Sequence, residues 1–185
     1  MLFRSPVNLR QRLEALIARE IGHARAGKKA HLVFKVNAVV DKPIIGLLYQ
    51  ASQSGVQIDL LVRSICSLRP GIKGVSENIR VTSIVGRYLE HSRIYYFHNG
   101  GEEEIYMGSA DVMPRNLDHR VEVVFPLEKP AHVHYMKTQV LDFYLKDTLR
   151  ARLMQPDGTY LRAKPNDKPL DVQDWLMGHR VDKKA

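Results

Sequence analysis

The sequence has almost no cysteine and no long apolar run, and each absence excludes a class of protein. Cys66 is the only cysteine among 185 residues, so a disulfide within the chain is excluded. No apolar stretch approaches the roughly 20 residues that a membrane-spanning helix needs. The N-terminal segment MLFRSPVNLR also lacks the apolar core of a secretory signal. The expected setting is therefore a reducing cytosol.

The histidines do not form a metal-binding pattern. His132 and His134 are two residues apart on a predicted helix, so their side chains face different directions. With one cysteine and no spaced histidine cluster, a structural zinc site is not expected. We therefore predict that this chain supplies no metal ligands of its own.

Charge and length point to one basic, globular unit. The chain has 28 Lys and Arg against 20 Asp and Glu, a formal net charge of +8, and 44% of its residues are hydrophobic. A chain of this length can bury its own core. The positive excess favours anionic partners such as phosphates, nucleic acid or acidic lipid, although a solvated basic surface explains the charge equally well.

The first half of the chain predicts a helix followed by a βαβ unit. We expect Ser5 to cap the helix, Pro6 to occupy its first position and Gly27 to end it. Strands are predicted over residues 31–40 and 56–62, which are rich in valine and bounded by turn residues. A strand, helix and strand in about 30 residues favour two parallel strands joined by a right-handed crossover.

The helix inside this unit has clear boundaries, and polar residues follow both of its strands. Asp41 is a good N-cap, and Gly55 ends the helix. Ligands of open α/β sheets bind outside the carboxyl ends of the strands. Asn37 and Arg63 lie at those ends and are therefore candidates for a binding site.

The second half predicts more strands, a helix and a polar tail. A long loop over 64–78 precedes a strand over 79–85, and Asn99-Gly100-Gly101 indicates a hairpin. We expect a helix over 130–149. The remaining predictions are hairpin strands over 93–97 and 104–109, a buried-type strand over 121–127, one domain over 1–155 and a polar extension over 156–185.

Four residues of the predicted hairpin carry groups suited to phosphate chemistry. His91 offers an acid or base at neutral pH, and the planar guanidinium of Arg93 can bind phosphate through two hydrogen bonds. The hydroxyl of Ser109 could complete an anion site, and the carboxylate of Asp111 could orient the imidazole. Alternating side chains would bring these groups to one end of the hairpin.

The hairpin resembles a known signature, with substitutions. His91-Ser92-Arg93 and Gly108-Ser109-Ala110-Asp111 resemble the motif of the phospholipase D superfamily, with arginine in place of lysine, aspartate in place of asparagine and a longer spacing. Residues 40–101 and the segment SADVMPRNLDHRVEV resemble the C-terminal catalytic domain of bacterial polyphosphate kinase more closely. This resemblance runs from about Ser5 to Leu153.

The resemblance implies a fold, a reaction and a set of residues. The fold would be a single α/β domain with a phospholipase D-like mixed β-sheet flanked by helices. The reaction would be reversible, magnesium-dependent transfer of the terminal phosphate of ATP to polyphosphate. Arg63, His91 and Arg120 match residues that bind ATP or phosphate, and His91 matches the second essential histidine of the family. Arg93, Ser109 and Asp111 are further candidate phosphate contacts.

The resemblance also implies partners. The phosphorylated histidine and the main Mg²⁺ ligands of the family belong to a preceding domain whose segments this sequence does not contain, so we expect an excised domain or a natural truncation. The isolated domain should then be inactive. The full-length protein would bind ATP, ADP and polyphosphate as a homo-oligomer, without nucleic acid, in the cytoplasm or at the periphery of the inner membrane.

Two other functions stay open at this point. A phospholipase D-like phosphodiesterase would pair two signature motifs, although the arginine and aspartate substitutions speak against it. A non-catalytic module would bind polyanions through charge alone, and its binding would be lost in salt but retained when His91 is replaced.

Overall fold

A mixed β-sheet forms the middle of the molecule, which the computed structural model describes at residues 2–164 and 168–179. Within those residues the sheet has nine strands in the order β1-β7-β6-β5-β2-β3-β4-β8-β9. The strands are β1 Phe3–Ser5, β2 His31–Val36, β3 Gln57–Val62, β4 Ile79–Ile84, β5 Arg93–Phe97, β6 Glu104–Gly108, β7 Glu122–Pro126, β8 Ala151–Met154 and β9 Tyr160–Arg162.

Helices cover both faces of the sheet. On one face, helices α1 and α2 contribute Leu13 and Leu48 to a core that also contains Phe34 of β2. The neighbouring β2 residue, Val33, points to a second core on the opposite face, as the alternation of side chains along a strand requires. The helices are α1 Leu9–Arg25, α2 Lys42–Gln53, α3 Pro130–Tyr135, α4 Asp142–Lys146 and α5 Val172–Gly178, with a π-helical segment, Met136–Leu141, between α3 and α4.

The predicted βαβ unit and hairpin are confirmed. Strands β2 and β3 are parallel and are connected by α2, and β5 pairs with β6 in antiparallel register. The Asp41 side chain caps α2 by accepting a hydrogen bond from the backbone N–H of Ile44 at 3.0 Å. Asn99 and Gly100, at the hairpin turn, have φ angles of 48° and 63°, which Asn and Gly adopt most readily.

The predicted start of the first helix is wrong. Ser5 does not cap a helix, because the segment before Pro6 is recruited into the sheet as β1, where Ser5 pairs with Glu122. Helix α1 instead begins at Leu9, after Asn8. The Asn8 side chain accepts a hydrogen bond from the backbone N–H of Arg4 at 2.8 Å, which stabilises the turn between strand and helix.

Two other boundaries differ from the sequence predictions. Strand β7 is not of the buried type, because only one of its faces is covered: Val124 is buried, whereas Val123 and Phe125 are 36% and 43% exposed. The predicted helix over 130–149 forms in three consecutive pieces and ends at Lys146. Within residues 2–164 and 168–179, no helix is long and apolar enough to cross a membrane.

The polar tail contributes to the same sheet. Strand β9 pairs with β8, which pairs with β4. Helix α5 buries Val172 in the second core, beside the π-helical segment and α4. The division of the chain at residue 155 stays a prediction.

Candidate active site

All of the predicted site residues lie along one line of strand ends, where β2 and β3 finish. Here the edge means this line of strand ends and not an outermost strand. The parallel strands β2 and β3 end there, whereas β5 runs the other way and begins there. Since β6 is antiparallel to β5 and β7 to β6, the end of β6 and the start of β7 belong to the same edge. The residues that this topology places at the edge are Arg63, His91, Arg93, Ser109, Asp111 and Arg120.

Arg63 is held by the side chain that follows the neighbouring strand. Its Nε and Nη2 donate to Oδ1 of Asn37 at 3.1 and 2.9 Å. Both donors point at one acceptor, so the guanidinium is fixed along one side. Among the described residues, no hydrogen-bond partner of Nη1 is found. The arrangement leaves that end of Arg63 available for an anion.

Asp111 connects this pair to Arg93. Its buried carboxylate accepts hydrogen bonds from the backbone N–H of Asn37 at 2.6 Å and from its Nδ2 at 3.2 Å. The same carboxylate accepts from Nη2 of Arg93 at 3.0 Å. The expectation that Asp111 orients the imidazole is therefore wrong, because its oxygens face Asn37 and Arg93. Direct contact of Asp111 with phosphate stays a prediction.

His91 projects from the edge into solvent. Its carbonyl oxygen accepts a hydrogen bond from Nη1 of Arg93 at 2.7 Å, so the backbone of His91 is tied to the guanidinium that Asp111 orients. The imidazole is exposed and has no hydrogen-bond partner within the described parts of the chain. It is therefore placed to meet a ligand that approaches the edge.

A buried lysine lies beneath His91. Nζ of Lys35 lies 2.7 Å from Oε2 of Glu90 and 2.8 Å from Oγ of Ser92, and it sits over the ring of Tyr144 at 4.7 Å from the centroid. Glu90 and Ser92 flank His91 in the chain. Both flanking side chains are thus anchored on Lys35, whereas the His91 side chain between them is exposed.

The charges of this cluster favour an anion at the edge. Burial lowers the pKa of Lys35, and the positive charges of Arg63 and Arg93 lower it further, although Glu90 acts against them. Burial disfavours ionisation of Glu90, but the Lys35 ammonium and the hydrogen bonds from Tyr144 and Gln173 together outweigh it and lower the pKa of this carboxyl. Three cations thus share the space with the half-buried carboxylate of Glu90 and the buried carboxylate of Asp111, so an additional negative charge would be stabilised.

Ser109 faces the other direction. Its hydroxyl donates to the carboxylate of Glu122, which also accepts from the Asn116 amide. These bonds connect the end of β6 with the start of β7. They do not bring the hydroxyl to His91, and phosphate contact by Ser109 stays a prediction.

Arg120 is exposed and follows a π-helical turn, Arg115–His119, within the segment MPRNLDHR that sequence patterns leave irregular. Arg10 of α1 holds this turn by donating to both oxygens of Asp118 at 2.6 Å. β7 is four inter-strand steps from β3, so about 19 Å separates the strand ends that carry Arg120 and Arg63. The start of β5, which His91 precedes, lies between these two strand ends in the sheet.

The family follows from comparison with known proteins. Residues 2–173 match the sequence model of the family described as polyphosphate kinase C-terminal domain 2. The chain belongs to this family. The resemblance noted from the sequence alone is thereby confirmed.

Individual relatives agree with this assignment. The chain is 56% identical over 161 residues to a polyphosphate kinase of Synechocystis sp., covering 87% of this chain and 22% of that protein. The crystal structure of the polyphosphate kinase from Porphyromonas gingivalis matches with a TM-score of 0.91 and 39% identity, covering 96% of this chain and 28% of that one. The chain thus spans about a quarter of the length of these polyphosphate kinases.

A more distant match concerns the fold. Nuc from Salmonella typhimurium, described as a phospholipase D family member, matches with a TM-score of 0.56 at 13% identity, covering 84% of this chain and 97% of that one. The predicted phospholipase D-like α/β fold is therefore confirmed, and this match carries nothing on substrates.

In this polyphosphate kinase domain, the sequence patterns do not identify the residues that hold the segment around His91 in place, Lys35 and Gln173. Lys35 offers a signal, because it is a lysine inside the otherwise apolar strand HLVFKV, where an unpaired charge is costly. Gln173 offers none, since its contacts with Tyr88 and Glu90 depend on a tertiary approach between distant parts of the chain.

Proposed function

We propose that this chain is the second phospholipase D-like catalytic domain of a polyphosphate kinase, which transfers the terminal phosphate of ATP reversibly to polyphosphate. The domain supplies nucleotide- and phosphate-binding residues and the second histidine of the reaction. The observation that carries the proposal is the grouping of Lys35, Arg63 and Arg93 around exposed His91, in a chain of this family.

Each group has a role that its surroundings support. The exposed imidazole of His91 can exchange a proton with the transferring phosphate or hydrogen-bond to it. The open side of Arg63 neutralises charge on the phosphoryl oxygens, as phosphoryl transfer requires. Arg120, about 19 Å away along the edge by strand spacing, would contact a different part of an extended anion such as polyphosphate.

Mg²⁺ does not fit the residues of this edge. Its preferred ligands are carboxylate oxygens and water, whereas Glu90 and Asp111 are already paired with Lys35 and Arg93. Among the described residues, no group of three or more His, Cys, Asp or Glu could hold a metal ion. The ion would therefore arrive with the nucleotide phosphates and with ligands of the preceding domain.

The proposal extends to the whole protein. Its substrates are ATP, ADP and polyphosphate, and nucleic acid is not a partner. The preceding domains supply the phosphorylated histidine, and the full-length protein is a homo-oligomer in the cytoplasm or at the periphery of the inner membrane.

Replacing Arg63 with alanine is expected to weaken the binding of tripolyphosphate by about ten- to a hundredfold. This range corresponds to the loss of a charge-assisted contact, about 1.5–3 kcal/mol. Isothermal titration calorimetry on the purified chain measures the effect.

Arg25→Ala provides a matched control, because it removes the same charge from the last turn of α1, which leads to the opposite edge of the sheet. This variant should bind within about twofold of the wild type, as expected for a distant surface charge. Equal losses in the two variants would show that net charge alone binds the ligand and would support a polyanion-binding module.

The chain by itself is expected to make no polyphosphate. The proposed reaction needs the phosphorylated histidine of the preceding domain, so ATP, Mg²⁺ and a polyphosphate primer should give no turnover above the blank. A radiolabelled phosphate-transfer assay measures this, with tripolyphosphate binding in the same preparation as the control for a folded site. Robust turnover without added protein would contradict the proposal, and hydrolysis of a chromogenic phosphodiester would favour the phosphodiesterase.

A further inference from the structure

Helix α5 forms hydrogen bonds with the segment that carries His91. Residues 85–92 join β4 to β5 without forming a strand or helix, and they approach the buried side chain of Gln173 in α5. The Gln173 amide donates to the carbonyl oxygen of Tyr88 at 2.9 Å and to Oε1 of Glu90 at 2.7 Å. Its own oxygen accepts from the backbone N–H of Tyr88 at 2.9 Å. Three hydrogen bonds thus connect one side chain to the residues just before His91.

The position of the amide is itself well defined. Val172, the preceding residue, is fully buried, and its backbone N–H donates to Asp147 at 2.8 Å. Trp175 stacks on Phe143 of α4 with ring centroids 3.5 Å apart. Because both ends of this turn are anchored, Gln173 cannot follow a movement of the segment without breaking these contacts.

Gly86 shows how closely the amide approaches the segment. A Cβ added at this residue would overlap Oε1 of Gln173 and would lie 2.8 Å from its Cδ. Gly86 has no positive φ angle, so its backbone does not require glycine. The space taken by Gln173 is the feature of the structure that excludes a side chain here.

The amide acts on the direction of His91 through Glu90. Glu90 is shared by Lys35 at 2.7 Å and by Gln173 at 2.7 Å, so its carboxylate is held from two sides. With Glu90 fixed inwards and Ser92 bonded to Lys35, the imidazole between them is turned outwards. Lys35, Gln173 and the Tyr144 hydroxyl all hold Glu90; without the amide, one of these three anchors and both backbone contacts of Tyr88 are lost.

We propose that Gln173 is a positioning residue, which holds the segment 86–92 so that the His91 imidazole faces the phosphate groups of the ligand. This inference rests on the proposed function, in which His91 meets the transferring phosphate. It assigns a role in the site to the C-terminal helix, which lies outside the strands that form the edge.

The test follows the His91 ring by NMR while tripolyphosphate is added to the chain, with Gln173→Ala and Gln173→Glu as variants. Glutamate keeps the volume of the side chain but removes both N–H donors and adds a charge beside Glu90. If the segment keeps its position only about a tenth of the time, the apparent dissociation constant rises about tenfold. We expect both variants to show this increase and a smaller shift of the His91 resonance.

Three controls separate positioning from a general loss of structure. His31, which pairs with Asp59 at 2.8 Å at the opposite edge, should keep its ring resonance in both variants. Met177→Ala, an exposed change in the same helix, should bind as the wild type does. Gly86→Ala should weaken tripolyphosphate binding in the same way, because the added methyl group displaces the Gln173 amide from the segment.

The outcomes also separate this inference from the proposed function. If tripolyphosphate leaves the His91 ring of the wild type unchanged, the proposed function fails. If the wild type responds and both variants respond equally, only the positioning role is overturned. In a His91→Ala background, Gln173→Ala should have no further effect on binding, since the amide acts through His91; a persisting tenfold effect would overturn the inference.

Discussion

Replacing Lys35 with methionine is expected to lower the free energy of unfolding by up to about 3 kcal/mol, the lower end of the cost of removing one partner of a buried ion pair, because Lys35 is buried but Glu90 is only half-buried. Methionine keeps the apolar stem of lysine up to Cε and lacks the ammonium, so little packing is lost. What remains is Glu90, whose carboxylate would lose its cation while the Tyr144 hydroxyl and the Gln173 amide still donate to it. Chemical denaturation at neutral pH measures the change.

The loss should depend on pH in a defined direction. In the wild type the pKa of Glu90 is lowered, so the pair stabilises the fold above the ordinary glutamate pKa and this stabilisation is lost as the pH falls through the lowered value. In the variant the ammonium that lowers the pKa of Glu90 is gone, while burial still raises this pKa and the bonds from Tyr144 and Gln173 still lower it. The pKa of Glu90 therefore rises relative to the wild type, and protonation relieves part of the cost of the unpaired carboxylate on acidification. The difference between the two proteins should therefore narrow from pH 7 towards pH 4.

Two comparisons test the cause. Lys73→Met removes an exposed lysine and should change stability by less than about 0.5 kcal/mol. Adding Glu90→Gln to Lys35→Met should restore part of the lost stability, because the buried charge is removed together with its partner. A double variant less stable than Lys35→Met alone would show that the pair is not the source of the effect.

Replacing Arg10 with methionine is expected to cost about 3 kcal/mol and to loosen the turn before Arg120. Arg10 donates to both oxygens of Asp41, at 3.0 and 2.7 Å, and to both oxygens of Asp118. Asp41 is fully buried, and among the described residues its side chain would keep only the capping bond from Ile44. The expected result is a lower free energy of unfolding and faster amide exchange over residues 115–121.

Arg25→Met is the matched control on the same helix, since the Arg25 side chain has an exposed hydrogen bond to Ser54 at 3.3 Å and no ion pair with any described residue. It should be nearly neutral, within about 0.5 kcal/mol. Slow exchange over residues 115–121 in Arg10→Met would mean that Glu122, Asn116 and Ser109 hold the turn without Arg10.

The sequence predicts those parts of the fold that depend on local chemistry. Asp41 caps α2 and Asn99 turns the hairpin because capping and positive φ angles are properties of single residues and their neighbours. Ser5 has the same local signal as Asp41, but β1 pairs with β7, more than a hundred residues later in the chain. A long-range backbone pairing of this kind overrides the local preference of Ser5 for a helix N-cap, and no local sequence pattern predicts the pairing.

In the site, too, some residues can be predicted from the sequence, whereas others depend on contacts between distant parts of the chain. Arg63 and His91 can be found from strand ends and from a resemblance, since the direction of the strands places both at one edge. The contact between Gln173 and Glu90 joins residues 83 positions apart in the chain. The partner of Asp111 cannot be predicted in this way, because the direction of its carboxylate depends on the position of Asn37 after β2.

The two outermost strands of the sheet, β1 and β9, have three residues each. Short outermost strands expose few unpaired N–H and C=O groups, so they are poor templates for strand addition by another molecule. Arg4 and Arg162 place exposed positive charges on these strands, which adds repulsion between copies. Strand addition between copies of this sheet is therefore disfavoured, and raising the salt concentration should weaken the part of this protection that comes from charge repulsion.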